Sequence, residues 1–163
     1  MSSTTLEGRA AAPGAAAAPA FRVAPPAPAV YDAVRSGEAD AEKDRLSTAL
    51  ATAEEQLEEL ADRMRDAVGD DEADIFEAHA MFAGDPQVVK LAGESIDSGA
   101  SAEHAVTEAF ATFRSRLAAS SSEYLAARVA DLDDVRGRVV AILQGRSVAP
   151  PAPAVPSVVV AQD

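Results

Sequence analysis

Two histidines and a run of carboxylates are the residues best suited to chemistry in this chain. His79 lies in Ile75-Phe76-Glu77-Ala78-His79-Ala80-Met81-Phe82, where helical spacing sets it beside Phe76 and Phe82. Such a histidine can carry a phosphoryl group, move a proton, touch a partner, or simply cap an apolar stripe. Catalysis finds no support around it, because no nucleophile, glycine-rich loop or second base stands at a matching spacing. His104 follows Ser101 in the first turn of a helix, where the positive helix end disfavours an imidazolium, so a surface position is expected. Thirteen acids fall between Glu38 and Glu72, against Lys43, Arg45, Arg63 and Arg65. That excess reads either as a solvated helix face or as a docking face for a basic partner. Asp131-Leu132-Asp133-Asp134 does not form a metal loop, since a helix turns Asp133 away from the other two and no turn glycine follows. It reads as a salt-bridged face with Arg128, Arg136 and Arg138. The sequence contains no Walker loop, dinucleotide fingerprint, nucleophile elbow or zinc signature.

The elements that must position these groups follow from composition. The 163 residues include 14 Lys and Arg against 27 Asp and Glu, a net charge of −13. This balance excludes nucleic acid as the main partner, which would need a basic face. No cysteine is present, so disulfides and thiolate metal sites are excluded. No apolar run approaches the ~20 residues of a membrane span, and the N-terminus lacks the charged start and apolar core of a secretion signal. A cytoplasmic setting without membrane insertion is therefore expected. Aromatics are 4% and hydrophobic residues 48%, with alanine supplying much of the difference. An alanine-rich core favours closely packed helices over sheets.

Periodicity places the helices. Leu46, Leu50, Ala53, Leu57, Leu60, Met64 and Ala67 form a seam along one long helix that ends near Gly69. Asp70 or Asp71 can cap the next, with Ile75, Phe76, Ala80 and Ala83 on one side. Asp85-Pro86 is a cap followed by proline at the first helical position, opening a short helix with Val88, Val89, Leu91 and Ile96. Ser101 opens another, with Val106, Phe110, Phe113 and Leu117 at seam spacing. Ser121 or Ser122 caps the last, where Leu125, Val129, Leu132, Val135, Val139 and Ile142 face inward and Gly145 ends it.

The fold expected is mainly α: a four-helix bundle plus one short helix. Proline-alanine linkers flank it, and candidate strand lies beyond each linker. That order is the pattern of a helical domain inserted into an α/β domain, here incomplete and represented by one or two short strands. The divisions are an opening strand in 1–23, a linker at 24–36, the bundle at 37–145, a second linker at 146–156 and a returning strand at 157–163.

Particular segments resemble a known family. Ile75 to Met81 followed by Asp85-Pro86 resembles a signature of the N-terminal region of enzyme I, the phosphoenolpyruvate-protein phosphotransferase of the bacterial sugar phosphotransferase system. Glu123-Tyr124-Leu125 through Arg128, Asp131, Asp134-Val135 and Arg138 is similar to the family's last-helix motif. Leu6-Glu7-Gly8 to Pro13-Gly14 resembles its opening strand, and Val158 to Asp163 its returning strand. The resemblance implies that the bundle docks the small phosphocarrier protein HPr for phosphate relay in sugar uptake. A neighbouring α/β subdomain would carry the phosphohistidine, and a C-terminal barrel would bind phosphoenolpyruvate and magnesium and make the dimer. Carried over residue by residue, it implies HPr contacts at Asp70, Asp71, Glu72, His79, Met81, Phe82, Asp85, Leu117, Tyr124 and Arg128. The family's Gly-Gly-Arg-Thr-Ser-His segment is absent here, so no catalytic residue is carried over and no cofactor is expected in this chain. Ala12 replaces a family serine, and Asp133 stands where arginine is common. Two alternatives stay open: a non-enzymatic helical adaptor or self-associating bundle using the Leu46–Ala67 seam, and an enzyme I-like module serving dihydroxyacetone kinase or nitrogen regulation.

Overall fold

The computed structural model describes residues 17–23, 30–34, 37–119, 131–148 and 152–160. Five described helices run in chain order: α1 (Ala39–Ala67), α2 (Asp70–Ala83), α3 (Pro86–Asp97), α4 (Ala102–Ala118) and α5 (Asp131–Leu143). Two three-residue strands, β1 (Ala20–Arg22) and β2 (Val158–Val160), lie outside them in sequence. The chain divides into two compact units, Met1–Ala27 with Ala149–Asp163, and Pro28–Val148.

At ~1.5 Å per residue, α1 has the length to accept α2 and α3 in succession. The short helices fold back along it as one broken antiparallel leg. Contacts fix the directions. Lys43 at the start of α1 pairs with Asp97 at the end of α3, 2.6 Å apart. Glu42 Oε2 accepts from the Ala102 amide at the start of α4, 2.8 Å. Arg45 reaches the Leu143 carbonyl at the end of α5, 3.3 Å. Thus α1 and α4 leave one end of the bundle, while α2–α3 and α5 return to it.

The core is alanine-rich, as the composition implied. Ala53, Ala73, Ala83, Ala92, Ala102 and Ala105 are fully buried, interleaved with Leu57, Val88, Ile96, Val106, Phe110, Leu132, Val135 and Val139. Small side chains let helix backbones approach closely, which a sheet sandwich could not exploit. The observed stripes correct the expected ones in detail. On α1, Ala49 and Ala61 are buried, whereas Leu60 and Met64 are half-buried and Ala67 is exposed. A period of about 3.6 residues rotates a strict heptad seam off the contact line. On α2 the core side is Ala73, His79, Ala80 and Ala83, and Ile75 faces outward. On α3, Val88, Ala92 and Ile96 are buried and Val89 is exposed.

Caps mark the helix boundaries. Gly69 (φ 143°) and not an aspartate precedes α2, and no side chain caps it, so Asp70 and Asp71 act within the first turn. Asp85 Oδ1 does accept from the Gln87 amide, 2.7 Å, and Ser101 Oγ from the His104 amide, 3.3 Å. Gly145 (φ 63°) closes α5: its amide donates to the Ile142 carbonyl, and that of Arg146 to Ala141, at 2.9 and 2.8 Å. This pair of bonds satisfies the terminal carbonyls in the way a left-handed glycine permits. Residues 121–130 of the expected last helix lie outside the described residues, as does the Leu6–Pro13 strand.

In the other unit β1 and β2 pair in parallel, with Ala20 opposite Val158, Phe21 opposite Val159 and Arg22 opposite Val160. Parallel strands need a crossover connection, and here the whole bundle supplies it, as an insertion requires.

Candidate functional site

The face to be judged is built on α2. Its first turn carries Asp70, Asp71 and Glu72, all exposed, where the positive end of the helix stabilises carboxylates. One turn of arithmetic sorts the rest. Asp70, Asp74 and Met81 fall on one outward stripe, and Met81 is 74% exposed. Glu77 lies on the flank toward α1, where Arg65 holds it. Arg65 also contacts Asp62 at 2.8 Å and Asp70 at 3.4 Å. Desolvation pulls the Arg65 guanidinium down, but Glu77 and Asp62 together outweigh it and raise the group above its ordinary value. Asp70 is thus partly compensated within the chain, while Asp71, Glu72 and Asp74 keep their charge outward.

Phe82 lies on the opposite flank and meets Phe113 of α4 edge to face, centroids 6.1 Å apart. Leu117 follows Phe113 by one turn and is half-buried against the same core. Phe82, Phe113 and Leu117 therefore form an apolar shoulder beside the exposed Met81 stripe. Asp85 ends this face; its carboxylate caps α3 and stays only partly exposed.

His79 sits differently from the other expected contacts. It faces the core at 7% exposure, packs edge to face on Phe76 with centroids 5.9 Å apart, and points Nε2 at Asp131 Oδ2, 3.5 Å away. It supports the face from beneath. Tyr124 and Arg128 lie outside the described residues. His104 is part-exposed, with Nε2 3.4 Å from Glu108 Oε1.

The structure also reveals a charged cluster that sequence reasoning missed. Glu42, counted above with the solvated acids, is buried at 7% exposure. It accepts two bonds from Arg45 Nη1, at 2.8 and 2.9 Å. Arg45 Nη2 donates to Glu103 at 2.8 Å. Desolvation alone would lower the Arg45 guanidinium; Glu103 and Glu42 overcome this and raise it. The i,i+3 spacing of Glu42 and Arg45, and the acid two residues after the Ser101 cap, were its only sequence signals. On α5, burial pushes the Arg138 guanidinium down, with Asp134 partly opposing, and its Nη1 donates to Gln56 at 3.0 Å. Asp133 bridges Arg114 and Arg136, at 3.2 and 3.5 Å. Among the described residues no three His, Asp or Glu side chains gather where they could hold a metal ion. No described helix is long and apolar enough to cross a membrane.

Comparisons with known proteins concern the chain as a whole. Residues 7–128 match the family model described as PEP-utilising enzyme, N-terminal. The chain is 37% identical over 147 residues to the phosphoenolpyruvate-protein phosphotransferase of Priestia megaterium, covering 90% of this chain and 26% of that protein. It is 52% identical over 71 residues to the protein of the same name from Streptomyces coelicolor, covering 44% of this chain and 13% of that one. The solution structure of Enzyme I (nEIt) superposes with a TM-score of 0.73 at 28% identity, covering 89% of this chain and 60% of that one. The N-terminal domain of Enzyme 1 - Nitrogen gives 0.68 at 25% identity, covering 82% and 56%. The chain spans about a quarter of the length of the Priestia megaterium relative.

Proposed function

Because the chain belongs to the family of PEP-utilising enzyme N-terminal domains and has the fold of enzyme I N-terminal domains, we propose that it is the docking platform of a phosphoenolpyruvate-protein phosphotransferase. In this reading the bundle binds the phosphocarrier HPr in the cytoplasm. A phosphohistidine on a segment absent from this sequence passes its phosphoryl group to HPr. The chain positions the acceptor and holds no cofactor.

The observation that carries the reading is the outward face of α2. It combines the exposed Met81 and the apolar shoulder of Phe82 and Leu117 with the exposed carboxylates Asp71, Glu72 and Asp74. An apolar centre ringed by acids suits a basic protein surface: the centre supplies contact area, and the acids supply steering and register. Transfer between two imidazoles demands in-line placement, which a rigid helical face can provide. Isothermal titration with HPr tests this. Saturable binding that weakens with added salt is expected, and the absence of binding would reject it.

The self-association alternative would need the Leu46–Ala67 seam to face a second chain. Leu46, Leu50 and Leu57, the heart of its seam, are only 3%, 4% and 2% exposed within the single chain.

A further inference from the structure

Among the described residues, His79 Nε2 is the buried side-chain nitrogen or oxygen that makes no hydrogen bond. A buried polar atom of this kind calls for an explanation, and contact with a docked protein does not give one, because the ring faces inward. The imidazole side chain is 9% exposed and lies between two elements. From α5, Asp131 presents Oδ2 at 3.5 Å, within ion-pair range but not hydrogen-bonded. Among the described residues no carboxylate of α1 pairs with it; its one ion-pair partner is Asp131. On α2 itself, Phe76 covers one edge of the ring and Glu77 is turned to Arg65.

We infer that His79 is a proton-operated positioning residue that latches α2 to α5. Histidine as a residue type changes charge between about pH 5 and 8. The neutral ring bears one N–H and meets the carboxylate at slack distance. Uptake of one proton from solvent puts hydrogen on both nitrogens and a positive charge opposite Asp131. The pair can then close to the ~2.8 Å of a charge-assisted hydrogen bond. Asp131 has further interactions, so closure redistributes its bonds instead of satisfying an isolated acid. The helix tightened by this closure is the one that carries Met81, two residues beyond His79. The latch is a property of the free chain. Only its consequence for docking rests on the function proposed above.

The experiment follows the His79 imidazole ¹⁵N shifts and the α2 amide exchange rates, corrected for intrinsic exchange, across a pH series on the whole chain. The α2 amides should gain about threefold or more protection on the acid side, with the midpoint that the imidazole shows. In Asp131→Asn that step should vanish, and a His79→Phe variant should lack it too. Protection that stays flat through the His79 titration, or an undiminished step in Asp131→Asn, overturns the latch. For docking, the ratio of wild-type to Asp131→Asn association rates with HPr should follow the same midpoint. A flat ratio alongside an intact latch step overturns the link to docking alone.

Discussion

Arg45 Nη2 lies 2.8 Å from Glu103 Oε1, although 58 positions separate the two residues. The same guanidinium grips Glu42, whose other bond reaches the first amide of α4. One arginine thus fastens the start of α1 to the start of α4. Removing it leaves two buried carboxylates without their counter-charge, a larger loss than removing both sides of the pair. Arg45→Met should cost about 2 kcal/mol, a figure reduced because the Arg45 side chain is partly solvated. The Glu42→Gln/Arg45→Met double variant should recover part of it. Urea unfolding checks this through midpoints at constant slope.

Core and face should separate cleanly under mutation. Phe110 is 2% exposed and Met81 is 74% exposed. Phe110→Ala should destabilise the bundle by about 3–5 kcal/mol. Met81→Ala should change stability by less than about 0.5 kcal/mol, yet weaken HPr binding by about 1–2 kcal/mol. Thermal unfolding and calorimetric titration of the two variants give the comparison.

Charge on the α2 face should act through encounter. Neutralising Asp70, Asp71 and Asp85 together as asparagines should slow HPr association about tenfold at low salt, with the difference shrinking as salt is raised. Asparagine at position 85 preserves a capping oxygen for Gln87. Asp70 should contribute less than Asp71, because Arg65 already stands beside it. Stopped-flow association over a salt series measures both points.

The chain alone should not accept phosphate from phosphoenolpyruvate and magnesium. His79 is enclosed by Phe76 and Asp131, and the exposed acids of the α2 face would repel a trianionic donor. Appearance of acid-labile phosphohistidine on incubation would contradict this.

Much of the fold could be read from the residues because caps and breakers act locally. Asp85-Pro86, Ser101 and Gly145 marked helix ends that the structure places where expected. Gly69 is different: it takes the position before α2 for which the sequence offers Asp70 or Asp71, since a positive φ favours glycine over a side-chain cap. Burial was legible only to the nearest turn, because Ile75 and Val89 fit an apolar pattern as well as Ala73 and Ala92 do. Which neighbour helix lies opposite decides between them, and periodicity carries no such information. For the same reason the exposed acids at the start of α2 were readable as a class, while the inward turn of His79 and the burial of Glu42 were not. Both depend on α5 or α4 arriving from far along the chain.

The most direct test of the docking account is a titration of the ¹⁵N-labelled chain with unlabelled HPr, followed by amide shifts. The account predicts saturating changes concentrated between Asp70 and Asp85 and around Leu117, with the Glu42–Arg45–Glu103 end of the bundle unmoved. Shifts confined to that opposite end, or none at saturating HPr, would contradict it.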